Sequence, residues 1–180
     1  MILSDFDWGK PDHWLAAIIL DSEGNQVYGK TIDGVALLEG IPHPSTGLNY
    51  LDVVEVKKSQ ETQMYKDDPI SIYRFSGIYK KSGNKTFIYE AVIPNYKIFH
   101  NLDDWFSANG QKNYIMFKMK FDDQEWLNGT CSAKNIDEAR KILKNFYVRT
   151  NGWMWRLLGR PNLFRYRNLQ EAPKTATNTG

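Results

Sequence analysis

The chain has 180 residues with 23 Lys/Arg and 21 Asp/Glu, and its hydrophobic and charged fractions of 42% and 24% are those of a globular protein. A chain of this length can bury a hydrophobic core without support from a metal ion or a disulfide. The single cysteine, Cys131, excludes an intramolecular disulfide, and no apolar run approaches the roughly 18 residues needed to cross a bilayer.

The positive charge is concentrated near the end of the chain. Residues 135–180 carry nine Lys/Arg and three Asp/Glu, a net charge of +6, which leaves a net charge of −4 for residues 1–134. This asymmetry favours a basic contact surface that faces an acidic partner, either a protein or a nucleic acid. The alternative is a solvated helix that happens to be rich in Lys and Arg.

Short apolar runs separated by turn residues predict strands along most of the chain. Turn residues at 21–25, at 33–34 and at 81–85 predict tight connections, and we expect the last to join the strands on either side of it as a hairpin. Residues 59–69 and 122–130 lack apolar periodicity and are predicted to be loops. Residues 102–108 are predicted to form one helical turn. The predicted strands cover residues 14–20, 27–32, 35–38, 50–58, 70–80, 86–93 and 112–121.

One long helix is predicted over residues 135–149. Asn135 is suited to cap it, with Glu138 at the third helical position as in a capping box. Asn151 and Gly152 form a stop signal at its end. The predicted apolar stripe of the helix comprises Ile136, Ala139, Ile142, Leu143, Phe146 and Tyr147.

Seven strands followed by one long C-terminal helix, without βαβ alternation, predict an α+β fold. We expect a mostly antiparallel sheet or partial barrel covered on one face by that helix, with a closed barrel as the alternative. Residues 1–168 are predicted to form a single domain, and residues 169–180 a polar tail.

A first candidate site lies on the strand that contains Asp52, Glu55 and Lys57. Alternation places Glu55 and Lys57 on one face of this strand, where carboxylates and a lysine can hold a divalent cation and orient a water molecule at a phosphodiester. This Glu-x-Lys strand resembles the motif strand of PD-(D/E)xK nucleases, and the resemblance implies a second carboxylate on a neighbouring strand. That carboxylate would be Asp33, Glu39 or Asp12. The alternative is an ordinary charged pair on the solvent face of a sheet.

A second candidate site is the run of aromatic and basic residues after the predicted helix. Trp, Tyr and Arg are preferred anchors of protein interfaces, and alternating aromatics and arginines can also stack on unpaired bases. Packing of the same side chains into the core is the third interpretation. The residues are Trp153, Trp155, Arg156, Arg160, Phe164, Arg165, Tyr166 and Arg167.

No metal-ligand spacing and no cofactor motif occurs in the sequence, so we expect neither. We therefore expect a non-enzymatic structural or interaction protein that binds protein subunits of an assembly, such as a viral or phage particle. A metal-dependent nuclease and a single-strand nucleic-acid-binding protein are the alternatives. The amino-terminal residues do not resemble a signal peptide, so we expect a location in the cytoplasm or in a virion, away from membranes.

Overall fold

The computed structural model of the chain describes Trp8 and residues 15–93, 96–121, 124–158 and 164–173. Two α-helices lie among them, α1 Tyr96–Ala108 and α2 Ile136–Leu158, and a 3-10 turn spans Pro44–Thr46. The strands are β1 Leu15–Ile19, β2 Gln26–Ile32, β3 Val35–Leu38, β4 Val53–Tyr65, β5 Asp68–Lys80, β6 Lys85–Ile93, β7 Asn113–Phe121, β8 Gln124–Ala133 and β9 Arg165–Glu171.

The predicted α+β class with mostly antiparallel sheets is confirmed, but the prediction of one sheet and one C-terminal helix is wrong. The described residues form nine strands in two sheets, and the last element is the strand β9. Residues 122–130, predicted as a loop, include most of β8, and the predicted polar tail begins inside β9. Both strands were missed because their sequences are polar, and a polar strand has no apolar alternation to reveal it.

The chain divides into two compact units. Unit 1 is Met1–Asn84 with Pro173–Gly180, and unit 2 is Lys85–Ala172. The division falls in the segment that was predicted to be a hairpin turn between β5 and β6, and that prediction is wrong, because the two strands belong to different sheets. Compact units can still fold as one domain, so the single domain over residues 1–168 stays a prediction.

Unit 1 contains a closed barrel in which β1 to β5 are neighbours in chain order. Each consecutive pair is antiparallel, and the barrel closes by parallel pairing of β1 with β5, at Ala17 opposite Ile72. The parallel closure follows from the odd number of strands, because strands that alternate in direction leave the first and the fifth pointing the same way. Closure removes the exposed edges of the sheet.

Alternation along β1 separates an inner from an outer face of the barrel. Ile18 belongs to the barrel interior together with Val27 and Val54. The outer side of β1 carries Ala17, which packs against Ile72 in a second apolar cluster. A third cluster forms where Trp8 packs on Val35, Leu37 and Val53. The period of two in side-chain direction thus lets a short strand contribute to two clusters at once.

The strands β4 and β5 are longer than predicted, and they form a hairpin with each other, because residues 59–69 continue both strands rather than forming a loop. Lys66 and Asp67 connect the strands with φ angles of 47° and 73°, the left-handed pair of a type I′ turn. Between Lys58 and Thr62 the pairing register shifts, which leaves three residues of β4 opposite Ile72. Such a bulge bends the hairpin.

Unit 2 follows the order β6, α1, β7, β8, α2, β9, with all strand pairs antiparallel and a sheet order of β7-β8-β6-β9. This is the ferredoxin-like or split βαβ topology, in which β8 lies between β6 and β7. The predicted single helical turn at 102–108 is the second half of α1. The expectation that βαβ alternation is absent is therefore wrong for this unit.

The core of unit 2 lies between one face of the sheet and the two helices. Phe87, Tyr89 and Ala91 of β6 share the buried face, as alternation requires. The helices contribute Leu102 and Phe106 from α1, and from α2 Ala139, Ile142, Leu143 and Phe146. Neither helix in the described part of the chain combines the length and apolar composition needed to cross a membrane.

The predicted cap of α2 is confirmed at Asn135, whereas Glu138 bonds the residue before the cap rather than the cap residue itself, as a capping box would require. The side chain of Asn135 accepts a hydrogen bond from the backbone N–H of Glu138 at 2.9 Å, and Glu138 Oε2 accepts one from the N–H of Lys134 at 2.5 Å. The predicted stop at Asn151 and Gly152 is wrong, because α2 continues to Leu158. An internal glycine costs only about 1 kcal/mol relative to alanine, which is too little to end a helix of this length.

We expect Asn135→Ala to lower the free energy of unfolding by about 1 kcal/mol, because it removes the side-chain acceptor for the N–H of Glu138. Urea unfolding measures this change, and Asn145→Ala on the exposed side of the same helix is the matched control. Equal stability of the Asn135 variant and the wild type would contradict the assigned cap.

Candidate interaction surface

The exposed side of α2 is formed by the residues that its apolar stripe leaves to solvent. Ala139, Ile142, Leu143 and Phe146 face the core. The 3.6-residue period then places Lys141, Lys144 and Val148 next to each other on the opposite side, three, four or seven residues apart, with Tyr147 at the border between this side and the core. We call these four side chains the α2 surface.

Tyr147 and Val148 supply apolar area to the α2 surface. Tyr147 is 40% exposed and Val148 is 59% exposed. The prediction that Tyr147 belongs to the buried stripe is therefore wrong, and Phe146 occupies the last core position instead. Scattered apolar residues are normal on protein surfaces. Here two of them adjoin each other and two lysines, which is the composition of a small contact patch.

The lysines of the α2 surface differ from the neighbouring arginines in their partners. Arg140 donates to Asp137 at 2.6 Å, and the guanidinium of Arg149 lies 5.1 Å from the ring centroid of Trp105. Lys141 and Lys144 have no ion-pair partner in the part of the chain that the structure describes. Their charges are therefore uncompensated and give the exposed side of α2 a positive potential.

Three of the predicted partner-binding residues lie in β9, and a fourth, Phe164, directly precedes this strand. Arg165 and Arg167 are exposed, and Arg167 Nε donates to Glu90 Oε2 at 2.6 Å. Hydrogen bonds from Asn168 and from Arg167 lower the pKa of the Glu90 carboxyl. Arg167 is thus engaged within unit 2, in a pairing across β6 and β9.

Phe164 does not lie on a contact surface, which corrects part of the predicted site. Its side chain is 0% exposed, and its ring packs edge-on against Phe146 with centroids 5.0 Å apart. Tyr166 is half-buried against the same core, where burial raises the pKa of its phenol, and its hydroxyl donates to the carbonyl of Arg140 at 3.4 Å. The core interpretation thus holds for Phe164.

Four other predicted residues precede Phe164. Trp153, Trp155 and Arg156 lie in the last third of α2, and their side chains are outside the described residues, as is Arg160 altogether. Their role in partner binding stays a prediction.

The residues of the nuclease hypothesis lie in different surroundings, some exposed to solvent and one buried. Glu55 and Lys57 are exposed on β4, as alternation predicts, and Asp33 is in the turn between β2 and β3. Asp52 is fully buried, and it accepts hydrogen bonds from the N–H groups of Asn49 and Ser82 and from Lys81.

Asp52 is therefore a structural carboxylate that ties two connections of the barrel together. Within the described ranges no three His, Cys, Asp or Glu side chains lie close enough to hold a metal ion. This geometry gives the nuclease hypothesis no support.

Two buried groups of unit 2, the Tyr89 hydroxyl and the Cys131 thiol, are held in their protonated form by burial. The hydroxyl of Tyr89 donates to Asn113 Oδ1 at 2.5 Å, and burial raises its pKa well above the usual value. Burial likewise raises the pKa of the Cys131 thiol. A thiol that stays protonated at neutral pH is a poor nucleophile, so Cys131 acts as a core residue.

The α2 surface was not predicted, because the aromatic-basic run that follows it in the sequence carries the stronger composition signal for a contact surface. The signal was present, since the same periodicity that predicts the buried stripe also predicts which residues face solvent. Only Tyr147 was ambiguous, because it borders the stripe.

No protein-family model and no curated protein matches the chain. Among solved structures, a hypothetical protein from Neisseria gonorrhoeae matches 88% of this chain and 94% of its own length, at 16% sequence identity and a TM-score of 0.33. At that similarity the match carries no conclusion about fold or function.

Proposed function

We propose that this chain is a non-enzymatic assembly subunit that binds a second copy of itself, with the α2 surface of one copy against the acidic unit 1 of the other. The observation that carries the proposal is the opposite charge of the two units. Unit 2 has 14 Lys/Arg and nine Asp/Glu, a net charge of +5, whereas unit 1 has nine Lys/Arg and 12 Asp/Glu, a net charge of −3.

Unit 1 offers carboxylates that the α2 surface can meet. Several are exposed and have no ion-pair partner in the described part of the chain, which leaves them available to a lysine from another copy. Complementary charges of this kind raise the association rate and select the orientation of binding. The carboxylates are Glu23, Asp33, Glu55, Asp67 and Asp68.

The apolar part of the α2 surface favours a protein partner over a nucleic acid. The side chain of Val148 cannot pair with a phosphate. Its removal from water is favourable only where another apolar surface covers it. Tyr147 next to it is a residue type enriched at protein interfaces. Lys141 and Lys144 would then lie beside an apolar centre, as charged residues do at the rim of an interface.

The two units of different charge also imply a head-to-tail contact, in which each copy uses a different face toward each neighbour. Such contacts form rings when the rotation closes and open chains when it does not. Assembly into a viral or phage particle, as predicted from the sequence, stays a hypothesis within this proposal.

Sedimentation velocity of the purified chain at several concentrations tests the proposal. We expect species larger than a monomer at about 0.05 M NaCl and their dissociation at about 0.5 M NaCl, because salt screens contacts between opposite charges. The double variant Lys141→Glu/Lys144→Glu should weaken self-association by about tenfold or more, since it places like charges opposite each other.

The matched control is Lys112→Glu/Lys134→Glu, which changes the net charge equally at two lysines of unit 2 outside the α2 surface, beside the end of β8. Its self-association should remain much closer to that of the wild type. A wild-type chain that stays monomeric at every concentration and at low salt would overturn the proposal. Salt-sensitive binding of labelled single-stranded DNA by the same monomer would favour the nucleic-acid alternative instead.

A further inference from the structure

The open end of the barrel in unit 1 contains a pocket of about 630 Å³. Small-molecule sites commonly have volumes of roughly 300–1,000 Å³ and often occupy the mouths of β-barrels. The walls come from the start of β1, the end of β2 and the β4–β5 hairpin. We call this pocket the barrel mouth.

Strand register shows that one part of the lining faces the barrel interior, whereas Ile70 and Tyr65 belong to the outer cluster of Ala17 and Ile72. Tyr73 packs against the interior cluster, and Lys58 lies directly opposite it on β4, so the two side chains share a face. Thr31 lies opposite Ala36, a buried interior residue, and therefore also faces inward. Lys57, one residue before Lys58, does not line the pocket.

The hairpin that borders the pocket is held in place by aromatic packing on the outer side of the barrel. The ring of Tyr65 packs edge-on against Tyr28, with centroids 4.8 Å apart, and Gln63 donates to the Tyr28 hydroxyl at 3.5 Å. Lys66 Nζ lies 5.5 Å from the centroid of the Tyr65 ring. The pocket wall is thus formed before any ligand arrives, which lowers the entropy cost of binding.

The chemistry of the lining is apolar with an excess of positive charge. Leu15, Ala16 and Ile70 supply apolar surface, and two tyrosines supply flat rings. Neither Lys58 nor Lys66 has an ion-pair partner in the described part of the chain. Asp68 is the carboxylate among the lining residues, so the pocket keeps a net charge of +1.

We propose that the barrel mouth binds a small organic anion, a flat apolar body that carries one carboxylate or phosphate group. The body would lie against Ala16 and the ring of Tyr73, which face the barrel interior, and the anionic group would accept hydrogen bonds from Lys58, which shares that face, and from Lys66 at the hairpin turn. Charge-assisted hydrogen bonds to an ammonium are stronger than neutral ones. All residues of the barrel mouth belong to unit 1, so it does not overlap the α2 surface itself, but Asp68 is also one of the carboxylates proposed to meet that surface in another copy.

Binding of 8-anilinonaphthalene-1-sulfonate to the full chain, followed by fluorescence, tests the inference. This probe is a flat apolar anion, and we expect saturable binding at one site per chain. Lys58→Met should lower the affinity about fivefold to tenfold, and Lys66→Met should have a similar effect, because each removes a charge-assisted contact. The neutral probe N-phenyl-1-naphthylamine should bind the variants and the wild type equally.

Lys57→Met is the matched control, since it removes the same charge one residue away on the same strand, outside the pocket lining. Its affinity for the anionic probe should equal that of the wild type. Equal losses in the Lys57 and Lys58 variants would overturn the inference, as would the absence of saturable binding to the folded wild type. Thermal unfolding of each variant verifies that the fold is intact.

Displacement of the bound probe distinguishes a carboxylate ligand from a phosphate ligand. 1-Naphthoate and 1-naphthyl phosphate should each compete with the probe, and the stronger competitor identifies the preferred group. 1-Naphthol has the same body without the anion and should compete at least fivefold more weakly. Equal competition by all three compounds would contradict a role for the lysines.

Discussion

Phe164→Ala is expected to lower the free energy of unfolding by about 3–5 kcal/mol, because it empties the volume of a fully buried ring. Phe164 packs against Phe146 of α2 and lies next to Tyr166, so its loss affects both the helix and the sheet of unit 2. Urea unfolding, followed by tryptophan fluorescence and by circular dichroism, measures the change.

Tyr147→Ala is the matched control for Phe164, since it removes an aromatic ring of similar size from the exposed side of α2. This variant should lower the free energy of unfolding by only about 0.5 kcal/mol, as is usual for exposed positions. The two variants also separate core from surface roles, because only Tyr147→Ala should weaken self-association of the folded protein. A Phe164 variant as stable as the wild type would mean that this side chain is not in the core.

Asp52→Ala should destabilise the barrel by about 2–5 kcal/mol. The substitution removes the side-chain acceptor for the buried N–H of Ser82 and for the half-buried N–H of Asn49, at a cost of about 1–3 kcal/mol each. The ion pair with Lys81 adds little, because the lysine is half exposed to solvent.

Asp52→Asn keeps one carbonyl acceptor, so we expect a loss of stability between those of the wild type and of the alanine variant. Glu55→Gln is the control, because Glu55 is exposed to solvent on β4. It should change the free energy of unfolding by less than about 0.5 kcal/mol. An Asp52→Ala variant that unfolds at the wild-type urea concentration would contradict the structural role of this carboxylate.

The parts of the fold that local signals specify could be predicted from the sequence. The turn at Asp33 and Gly34, with φ angles of 46° and 81°, requires the left-handed conformation that these residue types adopt most readily. The cap of α2 was likewise visible, because Asn135 and Glu138 satisfy backbone groups only a few residues away. In both places the stabilising contact is close in sequence.

The pairing of distant strands could not be predicted in this way. Turn residues between β5 and β6 favour a hairpin locally, whereas β5 instead closes the barrel against β1, through pairs such as Ala17 with Ile72. β8 was hidden because it contains Gly129, where a Cβ atom would lie 2.4 Å from the Tyr89 ring. The glycine that suggests a loop in the sequence makes room for a buried side chain of β6.

The burial of individual aromatic side chains near the candidate surface could not be predicted from the sequence either. Phe146, Tyr147 and Phe164 are all aromatic, and the sequence does not reveal which of them tertiary packing buries. Packing places Phe146 and Phe164 in the core of unit 2 and leaves Tyr147 in solvent beside Lys144. The lysines on the exposed side of α2 follow from helix periodicity alone, once the buried residues are known.

Photo-crosslinking from the α2 surface tests the proposed self-association most directly. Val148 is replaced by p-benzoylphenylalanine in the full chain, chains with normal and with 15N-enriched nitrogen are mixed, and crosslinked peptides are identified by mass spectrometry. The proposal predicts mixed-isotope crosslinks from position 148 to residues of unit 1, weakened by high salt and by Lys141→Glu/Lys144→Glu. Crosslinks confined to single-isotope chains, or mixed crosslinks that reach only unit 2, would contradict it.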